Sequence, residues 1–224
     1  MTETATKRDH ALYDRHAHWY DIAESCIEAI AVVDPLRRRL WSTVKGSLLL
    51  EIGVGSGRNY PFYPKGARVV AFDYSPSMLR RAIDSAERAR PNVDLLLADV
   101  NYLPFKNGVF DSVMATFIFC TVPKPVHALS EVARACRQDG EVVLLEHVRP
   151  ENPLLGRAMD ALNRLTARMD GENINRDTAA YVRKAGLEIL REEKYRMTIA
   201  KLLWARPGPP AAASGQGGDD AAAS

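Results

Sequence analysis

The chain has 224 residues, with 46% hydrophobic and 26% charged, so it holds enough apolar material for a core and is not a disordered polymer. Thirty basic residues stand against 28 acidic ones, a formal charge of +2, which excludes the strong basic excess of a dedicated nucleic-acid binder. Cys26, Cys120 and Cys136 are odd in number and form no C-x-x-C pair, so neither a disulfide framework nor a structural zinc site is expected.

The first residues, MTETATKRDHALYDRH, are polar and lack the apolar stretch of a signal peptide. No run approaches the roughly 20 apolar residues of a membrane-spanning helix, so a cytoplasmic protein is expected. From about Tyr13 to Lys45 the pattern is helical with breaks. Asp34-Pro35 reads as a helix start, followed by Leu36 to Val44. Ser47 to Ile52 (SLLLEI) is a short apolar run that ends in a glycine-rich turn, the pattern of a buried parallel strand. Ala67 to Phe72 is a second strand. Ser75 caps a helix from about Pro76 to Arg90. Val93 to Ala98 and Asp111 to Phe117 are the third and fourth strands. Pro125 to Ala135 is helical, Gly140 ends the following loop, and Glu141 to His147 is the fifth strand. Leu154 to Met169 is an amphipathic helix. Thr178 to Ala185 is a helix ended by Gly186, and Leu187 to Glu193 and Thr198 to Arg206 are the last strands.

This alternation predicts an α/β three-layer sandwich: a Rossmann-like, mostly parallel seven-stranded sheet with an antiparallel last strand. Residues 1–46 form a helical lid segment, 47–206 the binding domain, and 207–224 a low-complexity tail expected to be disordered.

The most informative segment is Glu51-Ile52-Gly53-Val54-Gly55-Ser56-Gly57-Arg58. Glycines at 53, 55 and 57 allow a tight turn and a close ligand approach. In the dinucleotide pattern G-x-G-x-x-G the third glycine would fall on Arg58, which argues against a nicotinamide-dependent oxidoreductase. Glu51 at the strand end would repel a pyrophosphate and suits a positively charged ligand. Asp73 ends the second strand, where an acid accepts hydrogen bonds from ribose hydroxyls. Asp99-Val100 ends the third, an acid beside an apolar residue that suits the edge and face of an adenine. All three acids fall on the carboxyl edge of the sheet, where ligands bind in open α/β folds.

With LLLEIGVGSGR, VVAFDYSPSML, LLLADVNYLPF, FDSVMATF and RQDGEVVLLEH, residues 47 to 206 resemble the class I S-adenosylmethionine-dependent methyltransferases. The resemblance implies S-adenosyl-L-methionine as cofactor. It implies Glu51, Gly53, Gly55 and Gly57 at the methionine part, Asp73 at the ribose, Met78, Asp99 and Val100 at the adenine, and Thr116 beneath the cofactor. No metal ligand cluster is seen. His147, ending strand five, is the candidate base or orienting donor. Tyr13 and Tyr20 lie seven apart on one helical face and resemble the lid of related small-molecule enzymes.

Within this group, Asp170-Gly171-Glu172-Asn173-Ile174-Asn175-Arg176, with Glu146-His147-Val148, is similar to the alkyl-thiol methyltransferases, which makes Asn173 a candidate substrate contact. The core is also similar to quinone C-methyltransferases and bacterial phosphatidylethanolamine N-methyltransferases. The hydrophobic N-terminal anchor of the animal thiol enzymes is not seen. The expected acceptor is a small, fairly apolar molecule or lipid: a thiol, a quinone-type ring or a phospholipid amine. A non-catalytic cofactor-binding module is the alternative. Nucleic acid is not an expected partner. Trp41 with Arg37, Arg38 and Arg39 has the composition of an interfacial helix, weighed against a plain solvated face, so peripheral membrane contact stays open, as does the oligomeric state.

Overall fold

A computed structural model of the chain describes residues 33–147, 177–195 and 200–209. The lid tyrosines Tyr13 and Tyr20, the helix at 154–169, Asn173 and the tail from residue 210 lie outside the described residues.

The elements in chain order are α1 (Val33–Thr43), β1 (Leu48–Ile52), a single 3-10 turn (Tyr60–Phe62), β2 (Arg68–Asp73), α2 (Pro76–Ala89), β3 (Val93–Leu97), β4 (Phe110–Thr116), α3 (Pro125–Ala135), β5 (Cys136–His147), α4 (Thr178–Lys184), β6 (Leu187–Lys194) and β7 (Ala200–Pro207). The strands form one seven-stranded sheet in the order β3-β2-β1-β4-β5-β7-β6. Strands β3 to β5 run parallel, and β7 is antiparallel to both its neighbours.

The two faces of the sheet bury separate cores. On one, Leu50, Ile52, Val113, Ala115, Val142 and Leu144 pack with Ala128, Leu129 and Val132 of α3 and Ala179 and Val182 of α4. On the other, Leu49, Val69, Ala71, Met114, Val143 and Leu145 pack with Leu36, Leu40 and Trp41 of α1 and Ala82 of α2. The period-two alternation of strands assigns each residue its face, and the continuous apolar runs reflect strands covered on both sides. The three-layer expectation is met.

Two local expectations are corrected. Gly140 lies inside β5 rather than ending a loop, because β5 begins at Cys136, opposite Phe110, before a register shift. Arg37 and Trp41 are buried, at 4% and 2% exposure, so neither presents an interfacial or solvated surface. Positions 36, 37, 40 and 41 share one helical face, and that face turns inward.

Ser75 is the N-cap of α2. Its hydroxyl accepts from the Met78 amide at 3.3 Å, and Pro76 occupies the first turn. Ser75→Ala should therefore cost about 1 kcal/mol. In a chain of this size the melting temperature should fall by about 2–4 °C. A thermal melt checks this, and an unchanged midpoint would show that the cap carries no stability.

Candidate active site

The parallel strands end together, and the site is built on those ends. Strand order reverses around β1, with β2 on one side and β4 on the other. Such a reversal opens a crevice at the carboxyl edge. Glu51 continues the α1-facing side of β1 two residues beyond Leu49. Asp73 does the same beyond Ala71, and Thr116 beyond Met114. One face of the sheet thus delivers all three groups to the crevice.

The turn after β1 carries Gly53, Gly55 and Gly57 at φ of 68°, 56° and 84°. Such angles favour glycine. A Cβ on Gly57 would stand 2.3 Å from the Tyr60 ring, whereas one on Gly55 would meet nothing within 4 Å. The space over Gly55 is a cradle open to a ligand. Asp73 anchors this turn. Its two oxygens accept from the Gly55 amide at 2.9 Å and the Ser75 amide at 2.8 Å. Burial raises its pKa, and these amide bonds oppose the rise.

Glu51 is 1% exposed. Its carboxylate accepts from Asn59 Nδ2 at 2.5 Å and from the Tyr63 hydroxyl. Asn59 Oδ1 in turn accepts from Arg37 at 2.9 Å, and Asn59 Nδ2 also reaches Thr116 Oγ1 at 3.2 Å. Desolvation pushes Glu51 up to about 7, against the pull of Asn59, Tyr63 and Arg37. A raised folded-state value means that Glu51's favourable contribution to stability is present below its usual 4.5 and lost by about pH 7. Above that pH the free domain carries a buried anion that a bound cation would compensate.

Asp99, in the loop after β3, accepts from the backbone and side-chain nitrogens of Asn101 at 2.8 and 2.9 Å. Val100 is buried beside it, and Met78 is half-buried in the first turn of α2. The backbone of His147 ends β5 opposite Ala200, on the same edge, and its side chain lies outside the described residues. So β1, β2, β4 and the loop after β3 all reach the carboxyl edge of the sheet, while Tyr13, Tyr20 and Asn173 lie outside the described residues.

Four residues of the site went unread in the sequence. Arg37, Asn59 and Tyr63 surround Glu51. Their signal was an asparagine and a tyrosine four apart in a proline-stiffened N-Y-P-F-Y-P run. Glu146, 0% exposed, accepts from the amides of Ile118 and Phe119, both at 3.1 Å. It pins the chain just after Phe117, a non-glycine residue at φ 57°. A strained backbone at a strand end is common where a site is shaped.

Comparison with known families decides between readings of this edge. Residues 50–144 match the model of a methyltransferase domain. Residues 50–144 carry a methyltransferase domain. S-adenosyl-L-methionine is the cofactor of that domain, which removes the nicotinamide reading. The methyltransferase domain is 39% identical over 123 residues to a phosphatidylethanolamine N-methyltransferase of Cereibacter sphaeroides, across 53% of this chain and 61% of that protein. It is 30% identical over 149 residues to a demethylmenaquinone methyltransferase of Renibacterium salmoninarum, across 62% and 59%. It is 31% identical over 163 residues to the human thiol S-methyltransferase TMT1A, across 70% and 65%. The chain thus spans about three-fifths of the length of these relatives. Two solved structures share the methyltransferase fold at low identity. One is an S-adenosylmethionine-dependent methyltransferase from Thermotoga maritima, with TM-score 0.66 and 17% identity over 88% of this chain and 99% of that one. The other is the [4+2]-cyclase SpnF, with TM-score 0.63 and 18% identity over 79% and 81%. Among the described residues no helix is long and apolar enough to cross a membrane.

Proposed function

We propose that the protein transfers a methyl group from S-adenosyl-L-methionine to a small, fairly apolar acceptor: a thiol, a quinone-type ring or a phospholipid amine. The observation that carries this reading is that Glu51, Asp73 and Asp99 all stand at the carboxyl edge of the sheet, beside a glycine turn that has open space over Gly55 and whose Gly55 amide is held by Asp73. The residues fit the group. Glu51, a buried carboxyl whose negative charge a bound cation would compensate, suits the ammonium of the methionine part. Asp73 has lone pairs beyond those given to Gly55 and Ser75, and these suit a ribose diol. Asp99 with Val100 and Met78 suits the edge and faces of adenine. Thr116, at the end of β4 on the same edge, is assigned the place beneath the cofactor.

The bound cofactor supplies a sulfonium methyl group already activated for in-line displacement. The protein's part is then alignment, which can contribute about 7–11 kcal/mol. A base is needed only for an acceptor that must lose a proton. His147 is assigned that role from its place at the end of β5. His147→Ala should lower turnover by about tenfold or more. Its affinity for S-adenosylhomocysteine should stay close to that of the wild type. Equal losses in both would return His147 to a structural role.

The three relatives act, by their names, on a phospholipid amine, a quinone-type ring and a thiol, which supports the acceptor class. The deciding experiment measures release of S-adenosylhomocysteine with alkyl thiols, quinols and phosphatidylethanolamine liposomes. Turnover on one class identifies the acceptor atom. Cofactor binding without turnover on any would move the reading to a non-catalytic module.

A further inference from the structure

We infer that Tyr63 and Asn59 are positioning residues for the cofactor: they aim the Glu51 carboxylate and sustain its charge for the ligand's ammonium, with Arg37 orienting Asn59. The inference rests on the cofactor reading above and extends it to residues outside the glycine turn.

The geometry is specific. Each Glu51 oxygen has its own donor, Asn59 Nδ2 on one and the Tyr63 hydroxyl on the other. The Asn59 amide cannot be reversed without loss. Its oxygen accepts from Arg37 Nη1, and turning it over would set an NH2 against a guanidinium. Thr116 Oγ1 accepts a second bond from the same Nδ2. Arg37 thus fixes, from α1, which end of the Asn59 amide meets Glu51. The Tyr63 ring is itself held, 4.5 Å from the Trp41 ring and 5.4 Å from the Tyr60 ring.

Among the described residues, few charged and titratable groups act on Glu51. Arg37 from α1 favours the anion, as do the hydrogen bonds of Asn59 and Tyr63. Asp73 from β2 opposes it, and burial opposes it most. Tyr60 from the 3-10 turn feels the Glu51 charge as a neutral neighbour. With Glu51 pushed up to about 7, its anion and its protonated form are close to balanced at neutral pH. Removing a donor to a charged group should tip that balance toward the protonated acid. The ligand's ammonium would then face a protonated acid near neutrality and a carboxylate again in alkaline solution.

The test is calorimetric binding of S-adenosylhomocysteine to wild type and Tyr63→Phe at pH 6, 7 and 8.5. The ligand's own ionisation cancels in the ratio of the two proteins. The phenylalanine keeps the ring contacts with Trp41 and Tyr60. The variant should bind roughly tenfold more weakly at pH 7, and within about twofold of wild type at pH 8.5. A loss of the same factor at every pH would mark a purely structural role and overturn the inference, as would no loss at all. Tighter binding at pH 7 would also overturn it, because the hydroxyl would then be competing for the ammonium's place. A second comparison uses a background without the titrating group. Adding Tyr63→Phe to Glu51→Gln should change affinity by less than about twofold at any pH, and a further pH-independent loss would overturn the inference. A wild type that binds no S-adenosylhomocysteine would instead sink the cofactor reading itself.

Discussion

Asp73→Ala should weaken S-adenosylhomocysteine binding by about 10²- to 10⁴-fold. The size follows from two hydrogen bonds from a ribose diol to a charged acceptor, each worth about 1.5–3 kcal/mol. A second loss adds to it, because the same carboxylate fastens the Gly55 amide at 2.9 Å and the Ser75 amide at 2.8 Å. The glycine turn and the start of α2 would both lose their anchor. Asp73→Asn should lie between, since an amide offers one acceptor oxygen where the carboxylate offers two. Burial raises the Asp73 pKa, so affinity should also decline in acid sooner than an exposed aspartate would cause. Isothermal calorimetry measures all three. Unchanged affinity in the alanine variant would remove Asp73 from the ribose site.

Glu146→Ala should be the most damaging single change to stability at the carboxyl edge. It would strand the amides of Ile118 and Phe119, which both donate to one Glu146 oxygen. An orphaned buried donor such as the Phe119 amide costs about 1–3 kcal/mol, the part-buried Ile118 amide somewhat less, and the vacated space adds a cavity. A total of about 3–5 kcal/mol would lower the melting temperature by roughly 6–20 °C in a chain of this size. Glu146→Gln keeps an oxygen in place and should recover most of the loss. A thermal midpoint for the alanine variant within about 2 °C of wild type would show that Glu146 does not hold this loop. Turnover should fall with it, because the pinned segment directly follows Thr116 at the carboxyl edge.

The parts that the sequence predicts well are those dictated by short-range rules. Runs such as SLLLEI and ARVVAF read as buried strands because a strand covered on both faces has no polar alternate. Ser75-Pro76 reads as a helix start because cap and ring preferences are local. What escaped is set by contacts far apart in sequence. Arg37 looks like a surface charge until the fold brings Asn59 to it, 22 positions away. Glu146 looks like a strand-end acid beside a histidine until the loop after β4 arrives, 27 and 28 positions away. Cys136 to Gly140 look like a loop because Arg-Gln-Asp-Gly has no strand composition. There the ladder to β4, not residue preference, extends the strand.

The position of β7 bears on how this protein is made in a cell. Ala200–Pro207 is late in the chain, yet it is seated between β5 and β6 and pairs with both. Leu202 and Leu203 are wholly covered, and the Trp204 indole donates to Thr43 of α1 at 2.9 Å. A nascent chain that has passed His147 therefore holds every acid of the candidate site but still exposes β5 as an open edge. At about 5–20 residues per second, a ribosome needs roughly 3–12 s to add the 60 or so residues that close it. Throughout that interval the growing chain presents an apolar strand template to its neighbours. Slowing translation over 148–199 should increase aggregation, while an excess of chaperone at that stage should suppress it.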